Sequence, residues 1–176
     1  MKTIDAILTR KSVRKYSDKD ISRESLELIL KAGQAGPSAK NKRDWQFIVV
    51  KEKETLNKMA GFLGAIIASP LKEAKMAILI LGDVNLSADG NWKIDCTIAA
   101  QNMILVAHEL GIGSCWIGTF PNEGKMKFQR KLFDLPKNVI PHSIITFGYP
   151  LDPKGFYDLK EGKPDLEEKK IHYEKW

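Results

Sequence analysis

The stretch Trp92–Leu110 restricts the fold more than any other part of this chain. Its apolar residues, among them Ile94, Ile98, Ala99, Met103, Ile104, Val106, Ala107 and Leu110, recur at helical spacing yet cover most of the circumference. A helix that is apolar nearly all round must lie in the centre of a domain or in an oligomer interface. Gly111 follows directly, where a helix-stopping glycine is expected. The remaining residues must supply the layers that cover this helix. A length of 176 residues suits one domain with a sizeable core. We find no internal repeat, low-complexity block or second domain.

The other elements follow from shorter patterns. Thr3–Thr9 reads as a short amphipathic helix, with Ile4, Ile7 and Leu8 on one face. Ser22 reads as an N-cap with Glu24 in the first turn, and Leu26, Ile29, Leu30 and Gln34 continue the face of that helix up to Gly36-Pro37. Gly36–Trp45 is a loop by composition. Gln46–Val50 and Met76–Leu81 are continuous apolar runs, and both read as strands covered on two faces. Glu54–Leu63 reads as a helix and Ala68–Lys75 as a turn region around Pro70. Asp83–Asn91 is polar, a surface loop long enough to serve as a flap. Gly113–Gly118 is a short strand between glycines, Glu123–Phe133 a lysine-rich helix, and Ser143–Gly148 a third strand after Pro141. From Tyr149 on, Pro150, Pro153, Gly155, Gly162 and Pro164 favour an extended arm. Its end carries Ile171, Tyr173 and Trp176, so it is expected to pack on its own domain or on a second subunit.

Chemistry is concentrated in Arg10–Tyr16, which places four cations and a hydroxyl within seven residues. In an extended segment Arg10, Ser12 and Arg14 point the same way. Two guanidiniums and a hydroxyl on one face can grip a phosphate. The plain reading of such a run is a solvated surface or a weak nucleic-acid patch. The net charge of +6 favours anionic ligands, but the lysines are spread along the whole chain, which adds little to the nucleic-acid reading. Cys96 and Cys115 lack a CxxC spacing and read as reduced, buried thiols of a cytoplasmic protein. Met1–Leu8 has no long apolar core, so no signal peptide is expected, and no apolar run is long enough to span a bilayer. Glycine-rich dinucleotide and phosphate loops, zinc-protease spacing and a nucleophile elbow are all absent. His108, His142 and His172 are scattered, and His108 reads as a packed residue of the long helix. An enzyme with this inventory needs a cofactor to supply its reactivity.

Four motifs in order resemble those of the FMN-dependent nitroreductase family. Arg10-Lys11-Ser12-Val13-Arg14 resembles its N-terminal Arg-Arg-Ser-x-Arg motif. Gly36-Pro37-Ser38-Ala39-Lys40-Asn41, with Trp45 in register, resembles Ala-Pro-Ser-x-x-Asn-x-Gln-Pro-Trp. Asp95–Gly118 is similar to the long dimer helix and the strand after it, and Phe147-Gly148-Tyr149-Pro150 to the last motif. The chain departs from the pattern at Arg43-Asp44, where the family has Gln-Pro.

The resemblance implies an α+β fold, a mixed and mostly antiparallel sheet wrapped by helices, as a single domain over 1–176 with an arm from about 150 exchanged between the subunits of a homodimer. It implies FMN at the interface and NADH or NADPH as reductant. By position, Arg10 and Ser12 would hold the FMN phosphate, Lys11 would be among the cofactor-binding residues, and Arg14 would sit near N1 and O2 of the ring. Pro37, Ser38 and Asn41 would reach the flavin from the other subunit, and Trp116, Ile117 and Gly118 would line it. Lys163, with Lys160 as the alternative, would meet the phosphate from the arm. No metal, nucleic acid or membrane is implied, and no side chain is required as acid or base. The implied activity is hydride exchange through flavin N5 onto nitroaromatic or quinone-type acceptors. The alternatives are a specialised relative (a dehalogenase, an azoline oxidase or a flavin-degrading enzyme) or a non-catalytic FMN-binding protein.

Overall fold

The computed structural model describes residues 2–63, 65–152, 154–156 and 166–176. Its described elements are α1 (Thr3–Thr9), α2 (Arg23–Gln34), β1 (Trp45–Val50), α3 (Lys53–Leu63), α4 (Ala65–Glu73), β2 (Met76–Asp83), α5 (Trp92–Glu109), β3 (Gly113–Gly118), α6 (Glu123–Leu132) and β4 (Val139–Gly148). The strands form one antiparallel sheet in the order β1-β2-β4-β3. This is the expected α+β class.

Strand alternation splits the core into two layers. Met76, Ile78 and Ile80 of β2 face α5 and its small residues Cys96, Ala99, Ala100 and Ala107. Ala77, Leu79 and Leu81 face the opposite side, with Leu56, Met59 and Ala60 of α3 and Leu71 of α4. All of these are buried. Small side chains on α5 bring its backbone close to the sheet, and α2 packs against it from outside. Gly111 closes α5 at φ +72. Ser22 caps α2 by accepting the Ser25 amide at 3.1 Å.

The structure differs from the sequence expectation in four places. Ala68–Lys75 is not a turn: Pro70 lies inside α4, and the helix continues through it. β4 begins at Val139, before Pro141. Pro141 pairs with Leu81 and Ser143 with Ile80, so His142 is an extra residue, and the proline is accommodated at that bulge. β1 packs on both layers, Phe47 and Val49 against the α5 side and Ile48 and Val50 against the α3–α4 side, but as an edge strand it leaves its middle residues only half-buried where full cover is expected. Loop 83–91 is pinned rather than plain. Ser87 Oγ accepts the Trp92 amide at 2.9 Å, the Asn91 side chain donates to the Ala88 carbonyl at 3.0 Å, and Ala88 is buried. No described helix is long and apolar enough to cross a membrane. The described end of the arm, 166–176, is exposed throughout, with Tyr173 at 83% and Trp176 at 101%.

Candidate functional site

The basic segment lies along the outer edge of β3. The Val13 amide donates to the Ser114 carbonyl at 2.9 Å, and Ser12 bridges Ser114 in parallel. Farther on, the Ser17 amide donates to Tyr149 and the Leu151 amide to Lys15. Two apolar side chains anchor the segment. Val13 sits on Gly113, where a Cβ would come within 2.7 Å of it, and the Tyr16 ring covers Gly148 at the same distance. The Tyr16 hydroxyl donates to the Val13 carbonyl at 2.6 Å and pairs with Thr146 Oγ1 at 2.8 Å. Burial holds the Tyr16 phenol well above its ordinary pKa, so it stays neutral. With Val13 turned inward, Ser12 and Arg14 face out, as the alternation predicts.

Two cavities meet at Arg14. One, of about 310 Å³, is lined by Lys11, Ser12, Arg14 and Lys15 together with Pro150 and Asp152 of the arm's start. The Lys11 ammonium donates to the Lys154 carbonyl at 3.0 Å, which holds the arm to the basic segment. The other cavity, of about 350 Å³, is lined by Arg14, Pro70, Cys115, Trp116, Ile117, Gly118 and Lys125. The backbone of Trp116–Gly118 forms its wall, and a Cβ at Gly118 would meet nothing within 4 Å. Burial raises the pKa of the Cys115 thiol, opposed by the charge of Arg14, which marks a packed thiol and not a nucleophile.

Arg10 is placed differently. It is the C-cap residue of α1, its amide bonded to the Ala6 carbonyl at 3.2 Å, and it is half-buried. Its backbone is already extended, at φ −62 and ψ 140, and Arg10 is not among the described residues lining either cavity. Its charge reaches His108, whose Nε2 pairs with Thr9 Oγ1 at 2.7 Å. Thr9 itself donates to the Asp5 carbonyl, so His108 carries its proton on Nε2. Burial lowers the pKa of His108 and keeps it neutral. It is a packed residue, as the sequence suggests.

Pro37, Ser38 and Asn41 lie on the loop that leads into β1, at the opposite edge of the sheet. Three strand spacings, about 14 Å, separate the two edges. None of the three residues lines either cavity. The loop has a firm shape. Lys40, Asn41 and Arg43 are at φ 51, 53 and 51, the left-handed region that non-glycine residues rarely adopt. Ser38 Oγ accepts the Arg43 amide at 2.9 Å, and Asn41 accepts from the Arg43 guanidinium at 3.0 Å. Both oxygens of buried Asp95 accept the Ala39 amide, at 3.1 and 3.2 Å. Asp44, one of the two departures from the family pattern, is fully buried, and neither of its carboxylate oxygens has a hydrogen-bond partner among the described residues. Burial raises its pKa; the nearby Ser87 hydroxyl opposes the rise without closing a hydrogen bond of ordinary geometry, and the charge of Asp95 adds to it.

Lys163 and Lys160 lie outside the described residues. Sequence reasoning missed Pro70 and Lys125 as cavity residues. Pro70 reads as a helix breaker, and Lys125 is one of several lysines on an amphipathic helix. Among the described residues no group of three His, Cys, Asp or Glu side chains could hold a metal ion.

Known proteins match this arrangement. The family model described as "Nitroreductase family" matches residues 7–79 and 65–149. A Methanothermobacter thermautotrophicus protein named "Putative NADH dehydrogenase/NAD(P)H nitroreductase" is 42% identical over 179 residues, covering 100% of this chain and 88% of its own. A solved Bacteroides thetaiotaomicron structure of the same name is 38% identical with a TM-score of 0.89, covering 99% of this chain and 98% of its own. A solved "FMN-dependent Nitroreductase" of Clostridium difficile R20291 is 35% identical with a TM-score of 0.87, covering 98% and 99%.

Proposed function

The chain belongs to the nitroreductase family and is an NAD(P)H-dependent flavin oxidoreductase with FMN as its cofactor, and we propose that it acts as a homodimer reducing nitroaromatic or quinone-type acceptors. The observation that carries this reading is the meeting of two cavities at Arg14, one rich in cations and one walled by flat backbone. The donor chemistry fits the two ends of FMN. Ser12 offers a hydroxyl and Lys11 and Arg14 offer fixed charge, the groups that hold a phosphate. The open face at Gly118 admits a planar ring beside the strand.

Bound FMN supplies hydride exchange at N5. The protein's own residues position and stabilise. Ser12 and Lys11, with Arg10 from the end of α1, hold the phosphate. Arg14 would offer a fixed positive charge to the N1–O2 edge of the ring. Trp116, Ile117 and Gly118 present backbone groups along the ring. Pro37, Ser38 and Asn41 complete the site from a second copy, which accounts for their position at the far edge of one chain. The rigid shape of loop 38–43 suits such a role, because the loop is set before the copies meet. Exposed Ile4 and Ile7 of α1 and Ile94 of α5 also support dimerisation, as do the exposed apolar residues of the arm. Lys163 remains our candidate for a further phosphate contact, with Lys160 second.

Steady-state oxidation of NADH and of NADPH by FMN-loaded protein tests the reading, with a nitroaromatic and a quinone as acceptors. Turnover that disappears when FMN is stripped and returns when it is restored is expected. Full flavin content without turnover on either acceptor class would refute it.

A further inference from the structure

The cavity beside Trp116–Gly118 holds a charge that the proposed function does not use. Lys125 projects from the first turn of α6, where Asn122 Oδ1 accepts its amide at 3.0 Å. Its ammonium donates to the Gly118 carbonyl at 2.9 Å, at the end of the cavity wall farther from Arg14. Arg14 acts at the Cys115 end. Three residues of extended strand, about 10 Å, separate the two ends. Neither cation is ion-paired within the described residues, and no described lining residue is acidic. One turn farther along α6, Phe128 stacks flat on Phe62, with ring centroids 4.2 Å apart. Within a cleft walled by protein, an ammonium acts on a ligand more strongly than it would in water.

We propose that Lys125, at the far end of the cavity assigned to the flavin ring, is a specificity residue that selects, among the molecules exchanging hydride with the flavin, those carrying an anionic group, carboxylate or phosphate, over their neutral counterparts. The proposal rests on the flavin oxidoreductase reading above and adds to it the class of ligand. Two sources can supply the anion: an acidic acceptor such as a nitrobenzoate, or the additional phosphate of NADPH.

The test compares the FMN-loaded protein with Lys125→Gln and Lys125→Arg. The kcat/KM ratio of para-nitrobenzoate to para-nitrobenzyl alcohol reads the first source, and the ratio of NADPH to NADH reads the second. Turnover of the neutral alcohol by the unmodified protein checks the underlying reading separately. One of the two ratios should fall about tenfold in Lys125→Gln and be retained in Lys125→Arg, the difference made by a single partly desolvated charge. The same ratio in the unmodified protein should shrink between about 0.05 and 0.5 M salt, as screening shortens the reach of the charge. That measurement decides the matter if the glutamine variant fails to fold. Ratios unaffected by both the substitution and salt would overturn the proposal.

Discussion

Replacing Gly113 by alanine should dislodge the basic segment without touching any group that would contact cofactor. A Cβ at Gly113 would lie 2.7, 2.8 and 2.9 Å from the three outer carbons of Val13. Ordinary contact between carbons is about 3.5–4.0 Å, so Val13 must retreat by roughly 1 Å. Strand β3 cannot give way instead, because it is fixed along β4 from Gly113 to Gly118. Overpacking of this kind costs about 1–3 kcal/mol. The retreat also stretches the bond from the Val13 amide to Ser114, worth about 1 kcal/mol net. Ser12 and Arg14 flank Val13 and must move with it. We therefore expect Gly113→Ala to lower the urea-unfolding free energy by about 1–3 kcal/mol and to weaken FMN binding about tenfold or more. Gly61→Ala is the control: it lies in α3 with no described neighbour within 4 Å, and should be neutral or slightly stabilising, by up to about 1 kcal/mol. FMN titration of both variants, with urea unfolding in parallel, gives the two numbers. If Gly113→Ala loses stability but binds FMN within about twofold of the unmodified protein, seating of the segment does not set the site's geometry.

Arg10→Ala should lose FMN on dialysis, read as the flavin absorbance retained per chain; full retention would remove Arg10 from the phosphate site. Asp44→Asn should stabilise the protein by about 1 kcal/mol near pH 7 and make little difference near pH 4. The sign follows from burial. Asp44 has a raised pKa in the fold, so the folded state holds a proton that the unfolded chain releases as pH rises from the ordinary carboxylate value through the raised one, and stability falls across that window. Thermal unfolding at the two pH values checks this, and a destabilised variant at neutral pH would mean the carboxylate is partnered after all. Deleting 166–176 should weaken the dimer measured by light scattering at low concentration; an unchanged dimer would return the arm to its own subunit.

Much of this architecture is legible in the sequence because its signals are local. The apolar run of Trp92–Leu110 and its closing Gly111 locate α5 to within one residue. Met76–Leu81 is apolar at every position because both faces of β2 are covered. The Ser22 cap and the alternation of Ser12, Val13 and Arg14 are also local rules, and they hold. What the sequence hides depends on distant neighbours. Pro70 breaks a helix by local rule, yet α4 packs over the sheet and absorbs it. Pro141 hides the start of β4 because the bulge that accommodates it forms only against β2. The run Phe47–Val50 does not reveal that, among the described residues, β1 has a partner strand on one side only. Asp44 looks like a loop residue because its burial comes from loop 83–91 and the start of α5. At the site, Ser12 and Arg14 line one cavity, and Arg14 and Trp116–Gly118 line the one beside it. Lys125 stays hidden because only the bond from its ammonium to the Gly118 carbonyl at the end of β3 singles it out from the other lysines of its helix.

The most direct measurement for the central claim is the anaerobic absorbance spectrum of FMN-loaded protein before and after adding NADH, and separately NADPH. We predict that at least one nucleotide bleaches the flavin band and that a nitroaromatic or quinone restores it. A protein that cannot retain FMN, or a bound flavin that neither nucleotide bleaches, would contradict the account.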